Sequence, residues 1–147
     1  MIEPGEKGSM MSVERRKIVV PLNVRYLAKL RNEVRGFLRL HSMRWRDESR
    51  VVLAVDEAVS NIIIHNRKTA DLSPIEVELR HVDGTVEVTI RDTGRKFNPR
   101  KNWPPKLTRD RKHLGLYIIS KTADEVRYRF VAERYNELTL IKRTRKR

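Results

Sequence analysis

The sequence predicts an α+β domain of two layers, a mixed and mostly antiparallel sheet with helices on one face. Three observations lead there. Two long segments carry apolar residues at helical spacing, strand-like runs pair as hairpins rather than as βαβ units, and one strong tight-turn signal joins two alternating runs. The chain of 147 residues is long enough to bury one core without staples.

The elements follow in order. Residues 1–14 mix Gly, Pro, Ser and charge and are expected to form a flexible leader. KIVVPL (17–22) predicts a short strand, with Pro21 marking an edge or strand end. Asn23 is placed to cap a first helix, whose apolar residues Leu27, Leu30, Val34, Phe37 and Leu38 share one face. Arg31, Arg35 and Arg39 form a basic stripe on another face. A second helix is expected over about 47–66. Ile75, Val77 and Leu79 alternate with charged residues, Asp83-Gly84 predicts a primed turn, and Val86, Val88 and Ile90 alternate again. Pro99, Pro104, Pro105 and many charges then mark a loop, before a third helix over 113–123 and strands over 125–131 and 137–143. One domain over 15–143 and a basic tail over 144–147 complete the plan.

Composition narrows the function. No apolar run approaches a membrane span, and the N-terminal residues hold no signal-peptide core. The absence of cysteine removes disulfides and thiolate metal sites, which together with those features predicts a cytoplasmic protein without membrane contact. The net charge is +14 and is regional, with a basic surplus of six over 24–46, seven over 95–112 and five over 142–147. Such patches attract nucleotide phosphates, nucleic acid or acidic protein faces.

Three places suggest chemistry. On the second helix Glu57, Asn61 and His65 fall at i, i+4 and i+8, with Ala54 and Ala58 on one side and Leu53 and Ile64 on the other. A carboxylate and an amide in that setting suit a general base and a ligand for a hard cation, or simply one side of a partly exposed helix. Alternation aims Asp92 at the same face as Val86, Val88 and Ile90, where it accepts from an amine or bonds its own turn; Gly94 follows and permits close backbone approach. Leu114-Gly115-Leu116 opens a helix behind Arg109, Arg111 and Lys112, an arrangement that binds phosphate or merely packs.

Taken in order, DEAVSNIIIHN (56–66), IRDTGRKFNP (90–99), HLGLYIISKTADEVRY (113–128) and NELTLIKR (136–143) resemble the successive boxes of the GHKL, or Bergerat-fold, ATPases. Within that superfamily the chain is most similar to the stand-alone anti-sigma-factor serine/threonine-protein kinases of bacteria. The likeness spans residues 17–143 and includes VPLNVRYLAKLRNEVRGFL. It implies ATP and Mg²⁺ as cofactors. Glu57 then matches the general base, Asn61 the Mg²⁺ ligand, Asp92 the carboxylate that reads adenine, and Gly94 the glycine shaping that pocket. Residues 101–112 would form the lid, with Arg111, Lys112, Leu114, Gly115 and Leu116 at the phosphates. Thr139 matches a residue near adenine, although alternation around it does not settle which way it faces. His65 fits the pattern with a role in helix packing, and Arg31 aligns with a partner-contact position, to which the stripe adds Arg35.

The same likeness implies a sigma-factor-like partner, a STAS-type antagonist phosphorylated on serine, and a homodimer. Lys112 and His113 stand where the family has glycines, and Asn66-Arg67-Lys68 replace its small or aromatic residues. A nucleotide-binding regulator without kinase activity is the alternative reading. A nucleic-acid module is left open by the charge, but no module signature accompanies it and aromatic residues are only 6% of the chain.

Overall fold

Hydrophobic periodicity turns into structure in the expected order. The computed structural model describes residues 13–66, 73–96 and 114–144. Its elements are β1 (Val13–Val20), a 3-10 turn (Val24–Tyr26), α1 (Leu27–Leu40), α2 (Trp45–Asn66), β2 (Ile75–Val82), β3 (Thr85–Asp92), α3 (Leu114–Thr122), β4 (Glu125–Val131) and β5 (Tyr135–Arg143). The strands form one five-stranded sheet in the order β1-β2-β3-β5-β4, antiparallel at every neighbouring pair.

Period-two alternation sends Val77, Leu79, Val88 and Ile90 to one face of the sheet, where all are fully buried. Onto that face α1 lays Leu30, Val34 and Leu38, and α2 lays Val51, Val55 and Val59. Each such side chain contributes about 1.5–3 kcal/mol by leaving water, so this interface dominates the fold's stability. The apolar residues expected on the first helix are the ones α1 buries. Asn23 caps as expected, its Oδ1 accepting from the Arg25 N–H at 3.0 Å, but it caps the 3-10 turn that leads into α1.

The outer face of the sheet carries charge instead. Arg91 donates to Glu137 at 2.8 Å and to Glu78 at 3.1 Å, and Arg129 reaches Glu137 at 2.6 Å. Burial pushes the Glu137 carboxyl up, but the Arg91 and Arg129 guanidinium groups outweigh it and hold the pKa below the usual value.

β1 starts four residues before the expected strand, at Val13, and so includes the last two residues assigned to the leader. Residues Val13 to Arg16 are exposed and pair with β2 through the backbone, so no side-chain pattern announces them. Two hairpin turns reach the same backbone shape with different residues. Asp83 (φ 47°) and Gly84 (φ 71°) take the left-handed pair a primed turn needs. Ala132 (φ 52°) and Glu133 (φ 53°) take it too, closed by the Arg134 N–H to the Val131 carbonyl at 2.9 Å. A residue with a Cβ costs roughly 1–2 kcal/mol in that region. Replacing Ala132-Glu133 by Asn-Gly should therefore raise unfolding free energy by about 1 kcal/mol, after the added entropy of an unfolded glycine is subtracted. Urea denaturation with an unchanged slope is the check; a gain indistinguishable from zero would place no strain in this turn.

Candidate functional site

The site is assembled along α2. Its apolar side faces the sheet, which leaves Glu57 and Asn61, one turn apart, half-buried on the flank. The two sides of this stripe are unequal. Ala54 and Ala58 are buried, whereas Leu53 and Ile64 are 45% and 46% exposed, so the stripe borders solvent rather than lying between apolar walls. His65 is exposed.

The first turn of α3 rests on this stripe. A Cβ placed on Gly115 would lie 2.8 Å from Asn61 Nδ2 and 3.2 Å from Glu57 Cβ. Only a residue without a side chain lets the helix start come so near, so the glycine sets the distance between α3 and the two polar groups. The helix start thereby meets the amide of Asn61 and the base of the Glu57 side chain. That arrangement suits an anion carrying a cation, because free N–H groups and the helix dipole attract phosphate while an amide oxygen ligates a metal.

Asp92 closes the other end. It points inward as alternation requires and is 9% exposed. Its Oδ1 accepts from the Gly94 N–H at 2.9 Å and from Asn136 Nδ2 at 3.2 Å. Asp92 therefore faces the interior and also braces its own turn. Burial raises its pKa above the ordinary carboxylate value, with the Gly94 and Asn136 bonds opposing that shift. A Cβ on Gly94 would come within 2.6 Å of Asn66 Oδ1, and Asn66 Nδ2 donates to the Ile62 carbonyl at 2.8 Å. Gly94 thus lets the end of β3 meet the end of α2, as Gly115 lets α3 meet its middle. The cavity bounded by Val51, Val86, Ile119 and Leu140 is apolar and lies toward the opposite end of β3, so it does not belong to this site.

Residues 20–142 match the family described as the histidine kinase-like ATPase domain. The chain belongs to that family. It is similar to serine-protein kinase RsbW of Bacillus thuringiensis and of Bacillus cereus, each 25% identical over 126 residues, 80% of this chain and 78% of theirs. A solved Mycobacterium tuberculosis structure, of a protein with RsbU and RsbW domains, matches with a TM-score of 0.69 at 20% identity. That match covers 91% of this chain and a third (33%) of the mycobacterial one, and it bears on the fold alone.

In this ATPase domain, one expected residue is misplaced and one was missed. Thr139 lies on the outer face, where its hydroxyl meets that of Thr89 at 3.2 Å. The register that pairs Asp92 with Asn136 puts Thr139 three residues further along, on the opposite side of the sheet from Asp92. Thr139 is therefore no part of the site. Asn136 takes the position beside Asp92. Its Nδ2 also donates to the carbonyls of Gly94 (3.3 Å) and Arg95 (3.0 Å), and its Oδ1 accepts from the Tyr128 hydroxyl at 2.5 Å. No local pattern announces Asn136, because the phase of β5 is set by its pairing with β3. Asn136→Ala should cost about 2–3 kcal/mol, because several buried polar groups lose a partner together. Chemical denaturation measures it; a loss under about 0.5 kcal/mol would mean water replaces the amide without cost.

The arginine stripe also reads differently. Arg31 Nη1 donates to Asp56 Oδ1 at 2.8 Å, Arg39 Nε donates to Glu48 Oε1 at 3.0 Å, and Arg35 Nε lies 3.7 Å from the same Glu48 oxygen. Like charges one turn apart do not repel unopposed here, because α2 supplies the acids. Arg111 and Lys112 and the expected lid lie outside the described residues, as do the side chains of Leu114 and Leu116.

Proposed function

We propose that this chain binds ATP with Mg²⁺ between α2, α3 and the end of β3, and transfers the terminal phosphoryl group to a serine of a protein antagonist. The observation that supports this reading is the close approach of the α3 start at Gly115 to Glu57 and Asn61, the residues that would serve as base and metal ligand. The names of the Bacillus relatives as serine-protein kinases support the reaction class. Adenine would lie at Asp92 and Gly94, and the phosphates at the start of α3 with Arg111, Lys112, Leu114 and Leu116.

The residues fit the cation implied by the family. Among the described residues no cluster of three or more His, Asp or Glu could hold a metal by itself. Mg²⁺ commonly takes one or two protein oxygens and completes its shell with phosphates and water, which matches a single amide at Asn61. When bound, the ion would offset phosphate charge. Glu57 would accept the serine proton at a carboxylate oxygen as the hydroxyl oxygen bonds to phosphorus and ADP leaves. Asn61 would orient the phosphates, and Asp92 would fix the base by accepting from its amine.

We further propose that the chain sequesters a sigma-type partner and works as a homodimer. For the partner, Arg31 and Arg35 rest on family likeness; their side chains are 40% and 37% exposed, so each guanidinium keeps an open side despite its internal ion pair. No helix among the described residues is long and apolar enough to cross a membrane.

The experiment mixes the purified chain, radiolabelled ATP and a STAS-type protein bearing an acceptor serine. Label on that serine, dependent on Mg²⁺, is the expected result. ATP binding without transfer would leave the non-catalytic regulator, and absence of ATP binding would overturn both.

A further inference from the structure

The two most exposed large apolar side chains among the described residues are Trp45 (71%) and Leu40 (69%). They stand on either side of the same four-residue turn, Leu40 ending α1 and Trp45 beginning α2. The turn is held firmly. Ser42 takes a left-handed conformation (φ 59°), its N–H and that of Met43 return to the carbonyls of Arg39 and Leu38, and Met43 is buried beneath. Trp45 and Leu40 are thus presented on a fixed corner.

Charge at this corner differs from charge on the α1 stripe. Arg31, Arg35 and Arg39 are matched by Asp56 and Glu48, whereas Arg44, Arg46 and Arg50 are exposed and form no salt bridge among the described residues. Arg46 lies over the Trp45 ring, its guanidinium carbon 5.6 Å from the centroid. Arg44 and Arg46 also flank the start of α2, where the helix dipole disfavours cations. An exposed Trp among unmatched arginines, at a helix end that disfavours them, is the composition of an interaction hot spot.

We propose that this α1–α2 corner docks an acidic segment of a partner protein that carries an apolar side chain, the acids meeting Arg44, Arg46 and Arg50 and the apolar group covering Trp45 and Leu40. Charge complementarity selects the occupant. A second copy of a +14 chain would bring like charge to the corner. A bilayer would find only scattered apolar surface on α2, since the exposed Leu53 and Ile64 lie about two and five turns beyond Trp45, while Val51, Val52, Val55, Val59 and Ile63 are buried. Nucleic acid would satisfy the arginines and leave Leu40 uncovered. The surface is separate from the nucleotide site, so its fate does not depend on the kinase reading.

The test uses Trp103→Phe chain, which leaves Trp45 as its single tryptophan. The probe is a fluorescein-labelled ten-residue peptide of Asp and Glu with one central Phe and one Leu, compared with the same peptide bearing Ala at both positions. Expected are a blue shift of Trp45 emission on binding, and at least about tenfold weaker binding for the Ala peptide, for Trp45→Ala and for Arg44→Glu with Arg46→Glu. Arg44, Trp45 and Arg46 are exposed, and thermal melts of their variants should match the Trp103→Phe parent. Equal peptide affinity in Trp45→Ala, or no binding by millimolar peptide, overturns the proposal. So does a blue shift produced by a single-stranded DNA 20-mer or by phosphatidylserine vesicles at lower concentration than by the peptide.

Discussion

Glu57→Gln should keep the fold and the ATP affinity and lose phosphoryl transfer by about 10²–10⁴-fold, the range a positioned general base contributes. The substitution preserves side-chain size and leaves Glu57 Cβ, the atom closest to Gly115 on that residue, where it is. The packing of α3 on α2 is then unchanged, and nucleotide binding reports that directly. Equal single-turnover rates for the two proteins would remove Glu57 from the chemistry and leave positioning and electrostatics to carry the transfer. A fall in ATP affinity of similar size would instead make Glu57 a binding residue.

Asp92→Asn should weaken ATP by about 10- to 100-fold, from the loss of a charge-assisted hydrogen bond to the adenine amine. The same variant should be no less stable than the parent, and the physical reason is burial. Desolvation raises the pKa of Asp92 in the folded chain above the ordinary carboxylate value. For a carboxylate shifted upward, the ionised form is the one the fold disfavours, so its stability contribution falls as pH rises from about 4 through the folded pKa. Asparagine keeps an oxygen to accept from Gly94 and Asn136 and carries no charge to desolvate. Melting at pH 7 should therefore favour the variant, with the difference shrinking toward pH 4. Calorimetry showing unchanged ATP affinity would detach Asp92 from adenine, and a large loss of stability at neutral pH would make its charge structural.

Much of this was legible because local signals agreed. The burial of Leu27 through Leu38 on α1, the Asp83-Gly84 turn and the inward phase of Asp92 follow from periods of 3.6 and 2. Whatever depended on a partner distant in sequence was hidden. Glu48 and Asp56 neutralise the arginines of α1 from another helix, and i, i+4 arithmetic within one helix cannot register them. Thr139 sits in a run with Leu138, Leu140 and Ile141 that blurs alternation, and only the pairing of Asp92 with Asn136 sets the phase of β5. The β4–β5 turn lacks any glycine or asparagine at its two left-handed positions, so composition pointed to a longer connection.

The pairing of β3 with β5 divides the molecule in a way that sequence order conceals. Everything through β3 lies before residue 97, everything from α3 onward lies after residue 113, and the two parts meet along one strand ladder and along the α2–α3 contact. A chain severed between Pro104 and Pro105 would therefore yield two fragments with matching edges and matching apolar faces. Expressed together, they should reassemble into one domain. The proposed nucleotide site straddles the cut, with Asn61 and Asp92 on the first fragment and Gly115 on the second. ATP should then act as a bridge between the halves and tighten their association in proportion to its concentration over its dissociation constant. The domain would become a two-component reporter of adenine nucleotide, read by fragment complementation.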